Sequence, residues 1–484
     1  QRFPIFFEEK RPFFLEGKEI FETPLTPVHT RAIIDPDYAA KLTGKVGRNT
    51  FGILVASDDA PGSFSQDEID DPTIRPGIDR FIDRNAYVGV LRLKRDVGRD
   101  SHLGFLATSY QFIEKHNLLG GFDGRLRLSP QTVFSFQVLG TTSRRFFRDA
   151  DLGRNVYRTG NGFGYSFNYG KTGSGLTYRL RGEGRTRDYR ADVGFTRRTN
   201  TNQELLTVRY TSESRPKAKL VSWSLQKLST INFDWQGRLQ RLETYPNVTF
   251  NFQKQSFLSV YALAGSERLF EEEFGPKRSA AQAGAFFGPS SERQASYQGI
   301  EVEAQTQPSK KYKLYLDTFY KWGGFDFDLG NGLRYPRVSP AALLDPRAPL
   351  DPGPGNQFFL KATILHQPTA ALRSSLDYTK SRLVRRDTGL VAFDENIFAL
   401  RTTYQFTPFT FARARLDYST LLSNIRGQFL LGWTPNPGTT FYVGYNNDLN
   451  QNGFNPFTSQ PEPGFRRNGQ TLFIKASYLF RRSL

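Results

Sequence analysis

Apolar and polar residues alternate with a period of two along most of the chain. In one segment the alternate positions are all aromatic, namely Phe163, Tyr165, Phe167 and Tyr169, while glycine, serine and asparagine occupy the positions between them. A short turn containing glycine follows at 171–173, after which the alternation resumes. Two alternating runs joined by such a turn predict a β-hairpin.

The same alternation recurs over the whole length of the sequence. It is clearest in the segments 132–138, 247–252, 311–322, 398–406 and 411–418. An amphipathic helix would instead repeat its apolar residues every three or four positions, and no long segment does so. The sequence therefore predicts an all-β protein.

A soluble β-sandwich or β-solenoid would show the same alternation, but three features favour a membrane barrel. The alternating runs reach about 9–13 residues, the length with which a tilted strand crosses a bilayer, whereas soluble strands are commonly about half as long. Aromatic residues lie near the ends of the runs, where the membrane interfaces would be. They include Tyr169, Trp322, Tyr404, Trp433 and Tyr478. We therefore predict a transmembrane antiparallel β-barrel of the bacterial outer-membrane type with roughly 18–20 strands, an even number being required for closure.

The connections between runs alternate between short and long, as they do in outer-membrane barrels. Short turns are predicted at 97–100, 307–310, 407–409 and 436–438, and long external loops near 58–85, 141–160, 267–293, 323–355 and 449–468. The barrel is assigned to residues 49–484. Residues 1–48 are too charged and too interrupted by proline for a barrel strand, and we predict a periplasmic or lumen-inserted segment there, a linker being the alternative. The segment 188–198 is either a strand or a connection.

The amino-acid composition excludes several kinds of functional site. The 484 residues include no cysteine, which excludes disulfides, thiolate metal sites and a cysteine nucleophile. Four histidines leave little material for a metal site, so neither a metal nor another cofactor is predicted. No apolar run is long enough for a transmembrane helix. Because the sequence begins at Gln1 and lacks methionine, we expect a processed or truncated product, or a sequence whose start is missing.

The formal net charge of +18 is carried partly by the faces opposite the apolar rows. If the apolar rows contact lipid, these faces line the lumen, and a basic wall would attract anions and disfavour cations. Ion-pair ladders that stiffen the wall, or a plug that fills it, are the equally weighted alternative. The predicted lumen-lining residues are Arg92, Lys94, Arg179, Arg181, Arg209, Lys311, Lys313, Arg373, Arg401, Arg413 and Arg415.

Several motifs resemble a known bacterial family. The segment Phe6–Phe21, with the sequence FFEEKRPFFLEGKEIF, resembles a junction in a domain-of-unknown-function family, and further matches occur at 43–47, 189–198 and 433–442. Members of that family join a carbohydrate-binding-family-nine-like module to a C-terminal outer-membrane barrel. The resemblance implies this fold and compartment but no catalytic residues, and the module itself is absent from these residues. The C-terminal alternation that ends at Tyr478 and Phe480 also resembles the terminal strand of outer-membrane barrels, although four residues follow it.

Other chemistry receives little support from the sequence. Carboxylates cluster at 58–59, 67–68 and 70–71. They could bind Ca²⁺, but a solvated acidic loop is favoured because the spacing fits no EF-hand. A serine hydrolase would need a base such as His102, His116 or His366, and none has a recognisable companion motif. No nucleic-acid-binding motif accompanies the basic residues.

Three functions follow in order of preference. The first is a porin-like or uptake channel in the bacterial outer membrane for anionic or oligosaccharide-like solutes, the oligosaccharide resting only on the family resemblance. The second is a plugged scaffold barrel that anchors partner proteins, and the distant third is an outer-membrane hydrolase. The expected partners are outer-membrane lipid or lipopolysaccharide and, further, other envelope proteins or the missing module, but not nucleic acid.

The assignment of faces leads to a first testable prediction. If Leu316 lies at mid-bilayer, Leu316→Arg should destabilise the folded protein by about 2–4 kcal/mol, because a charge would then face hydrocarbon. Lys313→Ala should leave folding nearly intact and shift the ion preference. The check is urea unfolding in detergent micelles combined with reversal-potential measurements. Equal damage from the two variants would contradict the assignment.

Overall fold

The computed structural model describes residues 6–332, 334–436, 438–450 and 464–479. Within these ranges 21 strands and only a few short helical turns occur, so the prediction of an all-β chain is confirmed. Every strand pairing whose register is defined is antiparallel. In the described part of the chain, no helix combines the length and the apolar character needed to span a membrane.

The strands are numbered in chain order. They are β1 (Pro36–Val46), β2 (Asn49–Asp58), β3 (Ala86–Gly98), β4 (Ser101–Phe112), β5 (Lys115–Arg127), β6 (Thr132–Asp149), β7 (Arg154–Lys171), β8 (Gly175–Arg185), β9 (Thr201–Thr211), β10 (Leu220–Phe233), β11 (Leu239–Phe252), β12 (Ser256–Phe270), β13 (Glu292–Ser309), β14 (Tyr312–Asp326), β15 (Gly353–His366), β16 (Leu372–Arg385), β17 (Val391–Thr407), β18 (Thr410–Ser419), β19 (Asn424–Asn436), β20 (Thr439–Asn450) and β21 (Arg466–Tyr478). The helices are α1 (Pro12–Leu15), α2 (Gln66–Asp70), α3 (Arg75–Ile78) and α4 (Pro340–Leu344).

The strand count corrects the sequence-based estimate of 18–20. The described residues contain 21 strands, and their lengths run from 10 residues in β2 to 18 residues in β6, β7 and β13. One of the additional strands is β1, which lies within residues 1–48, the range predicted to contain no strand. Its backbone pairs with β2 from Pro36 to Val46, and this ladder satisfies the hydrogen-bonding groups on the facing edges of the two strands.

The chain divides into two compact units. Unit 1 comprises Gln1–Tyr210, Lys227–Glu243 and Arg268–Ala285, and unit 2 comprises Thr211–Gln226, Thr244–Glu267 and Phe286–Leu484. In unit 1, β1 to β8 pair in sequential order. In unit 2, β13 to β21 do the same. The defined ladders lie within each unit, and closure of the strands into a barrel stays a prediction.

The two faces of the unit 2 strands differ in polarity. On β14, the exposed residues include Leu314 and Leu316, whereas Lys313 and Asp317 on the opposite face are half-buried. The same division continues through β16 to β21, with an exposed apolar row that includes Leu376, Leu400, Leu416, Phe429, Val443 and Ile474. An exposed row of this kind is unusual for a protein surface in water, because the large apolar side chains are contiguous rather than scattered.

Long connections follow even-numbered strands in both units. Residues 59–85 join β2 to β3, 186–200 join β8 to β9, and 327–352 join β14 to β15. Turns after odd-numbered strands are short, as at 99–100, 310–311 and 408–409. Because neighbouring strands are antiparallel, the long connections of one unit share one end of its sheet. Most of the predicted loop 449–468 lies outside the described residues, as does Phe480.

One predicted loop is wrong. Residues 141–160 form the paired ends of β6 and β7, whose ladder continues to Asp149 and Arg154 and leaves only 150–153 as a turn. The segment contains several arginines. In the structure, Arg145 on β6 pairs with Asp192 at 2.7 Å, and Arg158 on β7 pairs with Asp188 at 2.7 Å. The charges of these two strand residues are therefore compensated. The segment 188–198 is a connection rather than a strand.

Two segments of unit 1 cover one face of its strands. They are residues 6–35 and 186–200, which we call the insert. Its two parts are joined by backbone hydrogen bonds, one from the His29 amide to the Val193 carbonyl at 2.8 Å and one from the Phe195 amide to the Thr26 carbonyl at 3.0 Å. The segment 188–198, ambiguous in the sequence, therefore belongs to this covering layer.

Buried apolar side chains hold the insert on the strands. Phe14, Phe21 and Ile33 pack with the buried side chains of β2 and β3, and Leu25 and Tyr189 pack on Leu106, Leu119 and Leu139. Full burial of one such side chain contributes about 1.5–3 kcal/mol. Polar anchors supplement this packing, since Gln137 on β6 accepts from the Leu25 amide at 2.8 Å and donates to the Thr23 hydroxyl at 2.8 Å. The covered face is thus a protein core.

Glycines in the strands leave room for the insert. A Cβ at Gly52 on β2 would lie 2.7 Å from Cζ of Phe21, and one at Gly164 on β7 would lie 2.8 Å from Cε2 of Tyr189. Both distances are shorter than a carbon–carbon contact, so the ring of each insert residue rests directly on the strand backbone.

This close packing gives a prediction for Gly52→Val. The added side chain should displace Phe21 and destabilise unit 1 by about 1–3 kcal/mol, the usual cost of overpacking. Urea unfolding and trypsin cleavage within residues 6–35 would measure the effect. The matched control is Gly89→Val on β3, because a Cβ there meets nothing closer than 3.9 Å. Equal effects of the two variants would show that the insert does not rest on β2 in this way.

Candidate functional site

The opposite face of the unit 2 strands carries a continuous set of charged side chains, which we call the polar face. Cross-strand register places Glu303, Asp317 and Lys361 in one row, and Asp417, Arg426 and Asp448 in another. Side chains at paired positions of neighbouring strands lie on the same face of a sheet. The other charged residues of the polar face are Glu301, Lys313, Lys321, Arg373, Asp377, Glu395, Arg401, Arg413, Arg415 and Lys475.

Ion pairs link part of this polar face. Arg401 Nη1 lies 2.5 Å from Asp377 Oδ2, and Arg415 Nε lies 2.5 Å from Asp417 Oδ2. Asp377 also accepts from the Thr363 hydroxyl at 2.7 Å. Since these arginines remain about half exposed, the pairs are worth little for stability and act mainly to orient the guanidinium groups.

A cluster of tyrosines and glutamates lies on β11 to β14 of the same face. Glu303 accepts from the Tyr315 hydroxyl at 2.9 Å and from the Tyr261 hydroxyl at 3.2 Å, and Glu301 accepts from Tyr245. Tyr245 and Tyr261 stack with ring centroids 5.1 Å apart. The sequence analysis missed this cluster, although the signal was present as tyrosine and glutamate residues in the polar positions of alternating runs.

The basic residues that lack a carboxylate are concentrated near the short turns. Arg373 on β16 and Arg413 on β18 form no ion pair within the described ranges, and Arg413 lies over the ring of Phe411 at 4.6 Å. Arg401 and Arg415, which are paired, lie next to each other across β17 and β18. Four of the predicted lumen-lining residues are therefore brought together on three adjacent strands. Lys313 shares the polar face, and Lys311 lies exposed in the turn before β14.

The predicted residues of unit 1 have more varied surroundings. Arg179, Arg181 and Arg209 are exposed, and Arg181 pairs with Glu183 at 2.7 Å. Lys94 is half-buried on β3. None of these four residues lies beneath the insert core described above.

The position of Arg92 in the structure does not fit the lumen-lining role predicted for it. Only 2% of its surface is exposed, and its guanidinium binds Asp123 through both terminal nitrogens, with Nη2 2.8 Å from Oδ1. Its Nε donates to the Ile20 carbonyl of the insert at 3.2 Å. The face on which Arg92 lies is covered by residues 6–35, so this arginine holds the insert to β3 and β5 and does not contact a solvated path.

A second charged cluster stabilises the insert internally. The Glu9 carboxylate is buried and accepts from Arg11 Nη2 at 2.8 Å and from the Thr30 hydroxyl at 2.7 Å. The Arg11 guanidinium is the main reason that the pKa of Glu9 is held well below its usual value. Nearby, the His29 ring contacts the rings of Phe6 and Phe195, which also contact each other, and burial lowers the pKa of His29.

The other candidate chemistry has no assembled site among the described residues. No group of three or more metal-ligating side chains occurs there. In the acidic connection 59–85, Glu68 and Ser65 form a capping box for α2, and Asp71 accepts from Thr73, so these carboxylates have structural partners. His116 contacts Gln111, and His366 stacks on Tyr312.

Comparisons with known proteins give structural similarity only. No protein-family model matches the chain, and no curated protein matches it. The solved copper transporter OprC is 10% identical over 82% of this chain and 70% of its own, with a TM-score of 0.45. The closed form of the ferric-catecholate import receptor Fiu from E. coli K12 is 9% identical over 91% and 79%, also at 0.45. The siderophore receptor PirA from Pseudomonas aeruginosa is 11% identical over 92% and 79%, again at 0.45.

The buried pair gives a prediction that separates anchoring from pore lining. Arg92→Leu should destabilise unit 1 by about 3–5 kcal/mol, because it leaves the Asp123 carboxylate buried without its partner, and Asp123→Leu should do the same to Arg92. The double variant Arg92→Leu/Asp123→Leu should recover most of that loss. Urea unfolding of the wild type, both single variants and the double variant completes the cycle. Additive effects of the two single substitutions would contradict a coupled buried pair.

Proposed function

We propose that the chain is a bacterial outer-membrane β-barrel that serves as an uptake pore with a preference for anionic solutes. The observation that carries this proposal is the two-sided character of the unit 2 strands. Their exposed face is a contiguous apolar surface, and their opposite face carries charged and hydrogen-bonding side chains.

The strand lengths support a membrane setting. At about 3.3 Å per residue, strands of 10 to 18 residues reach across the apolar core of a bilayer even when tilted. Aromatic side chains near strand ends, such as Trp322 and Trp433, suit the membrane interfaces. The alternation of short turns with long connections agrees with short periplasmic turns and longer external loops.

The polar face supports a solvated path bounded by unit 2. Hydrocarbon would not tolerate its density of charge. Val338 of the connection 327–352 packs with Leu383 and Ala392 at the end of the strands away from the short turns, and near the short turns the arginines of β16 to β18 are exposed. Basic side chains exceed acidic ones near the short turns, where Arg373 and Arg413 lack carboxylate partners. Such a surface raises the local concentration of anions.

A second candidate, the plugged scaffold barrel, is favoured by the insert. In unit 1 the strand face opposite the exposed apolar row is occupied by residues 6–35 and 186–200, with fully buried Leu25 and Tyr189. A packed core of this kind excludes water from that face. If water were excluded from the polar face of unit 2 in the same way, the protein would anchor partners rather than conduct solutes.

Two indications bear on the nature of the solute. An oligosaccharide is suggested only by the resemblance to the domain-of-unknown-function family, which stays a prediction. The polar face itself favours an anion, and an anionic saccharide would satisfy both indications.

Planar-bilayer recording with purified, refolded protein tests the proposal. We expect stable conductance steps with a reversal potential that favours chloride over potassium. In Arg401→Ala/Arg415→Ala, which leaves Asp377 and Asp417 without their arginines, the preference should shift toward cations. The control Arg347→Ala removes an exposed arginine from the connection 327–352 and should keep the wild-type preference.

Two results would overturn the pore. Persistent silence of protein whose circular dichroism shows native β-structure would favour the scaffold. Protein that stays monodisperse in water without detergent would contradict the membrane setting, because the exposed apolar rows would then have to be buried within the protein.

A further inference from the structure

A cavity of about 280 Å³ lies between the first part of the insert and the strands β1 and β2. Its apolar wall is formed by Phe14, Phe21, Val28 and Leu54, while hydroxyl, imidazole and charged side chains complete the lining. Voids larger than one water molecule are rare in protein cores, whereas ligand pockets begin at about 300 Å³. Most of the polar lining residues are only half-buried, so solvent reaches the cavity. The cavity therefore has the size and the mixed lining of a site for a small molecule.

The charged side chains that line the cavity leave one positive charge uncompensated. Glu9 and Glu22 each have a basic partner already, at 2.8 Å and 3.0 Å. Lys41 on β1 donates to the backbone carbonyls of Phe13 and Glu16 and has no carboxylate partner in the described ranges. An ammonium group carries three N–H donors, so Lys41 retains one donor and its charge for a further group.

Thr26 lines the same cavity in a strained backbone conformation. Its φ of 52° lies in the left-handed region, which β-branched residues rarely adopt. Its backbone is held there on both sides, because its amide donates to the Thr23 carbonyl at 3.1 Å and its carbonyl accepts from the Phe195 amide at 3.0 Å. The Thr26 hydroxyl has no hydrogen-bond partner in the part of the chain that the structure describes. Strain of this kind is concentrated at sites that bind ligands.

Two more polar groups of the lining retain unused donors. The Thr23 hydroxyl accepts from Gln137 at 2.8 Å, and its own proton has no acceptor among the described residues. The His29 ring makes aromatic contacts but no hydrogen bond within the same residues. An excess of donors favours a ligand with acceptor oxygens, and the charge of Lys41 favours an anionic one.

We propose that this cavity binds a small organic carboxylate with an apolar body, about the size of benzoate. The apolar body packs against Phe14, Phe21 and Leu54, and the carboxylate compensates the charge of Lys41. The unused donors of the lining, Thr26 among them, complete the contacts with the ligand. All residues of the site belong to unit 1, so the inference goes beyond the proposed pore and does not depend on it. Because the ligand contacts both the insert and the strands, its binding stabilises their association.

Titration calorimetry of the full chain in a neutral detergent, with sodium benzoate as the probe, tests this site. Benzoate should bind, and it should shift urea unfolding to higher concentrations. Benzamide has the same ring without the charge, and acetate has the charge without the ring. Each should bind at least about tenfold more weakly than benzoate, since each loses one of the two kinds of contact. Protein with native circular dichroism that fails to bind benzoate, or that binds acetate equally well, would overturn the proposal.

Lys41→Met tests the charge, because it keeps most of the apolar stem. It should weaken benzoate binding by about tenfold and leave benzamide binding unchanged. The matched control is Lys45→Met on the same strand, since Lys45 pairs with Asp96 and does not line the cavity, and it should bind benzoate as the wild type does. Equal losses for benzoate and benzamide in Lys41→Met would show that Lys41 acts on the fold of the insert and not on a bound anion.

Thr26→Gly separates a ligand-binding role from a structural one. Glycine relieves the left-handed strain, so urea unfolding should shift to higher concentrations, while the loss of the hydroxyl should weaken benzoate binding several-fold. Thr26→Asn, which tolerates this conformation and keeps a side-chain donor, should be stabilised in the same way and bind benzoate nearly as the wild type does. Wild-type benzoate affinity in Thr26→Gly would remove Thr26 from the site and contradict the proposed use of its strain.

Discussion

The exposed apolar row along every second position of the strands is the constraint on which the structure depends. Each strand hydrogen-bonds to its neighbours, so the backbone is satisfied without water, while the outward side chains require apolar surroundings. Because of the same alternation, the residues on the opposite face of each strand do not contact these apolar surroundings and can have other roles. In unit 2 they carry charges, and in unit 1 they form a core with the insert.

The two uses of that opposite face have different physical requirements. Covering a strand face with protein needs apolar side chains on both layers and small residues where the layers approach, as with Phe21 on Gly52. Any charge trapped beneath the cover must find a partner, as Arg92 does in Asp123. A face that meets water has no such requirement, and Arg373 and Arg413 can keep uncompensated charges there because water screens them.

The insert also explains why aromatic residues are so frequent in the first 35 residues. Their distribution looks irregular in the sequence because it follows contacts with several strands and with the connection 186–200, and not the period of a single element. Glu9 and Arg11, which would suit a solvated linker, form an ion pair whose carboxylate is buried and which fixes the turn around Thr30. Local polarity therefore gave a poor guide to burial in this segment.

The period of two in the sequence was sufficient to predict that the chain is all-β and which face of strands such as β14 and β18 is apolar. It also predicted where many of the connections lie. These properties could be predicted because they depend on residues two positions apart in the sequence. The extension of β6 and β7 through 141–160 was hidden, since Arg145 and Arg158 there pair with Asp192 and Asp188, which are distant in sequence. The sequence could also list basic residues of a wall, but it could not separate Arg92 from Arg413. That distinction depends on which strand face the insert covers and which carboxylates the register brings within reach, and both are properties of the tertiary structure.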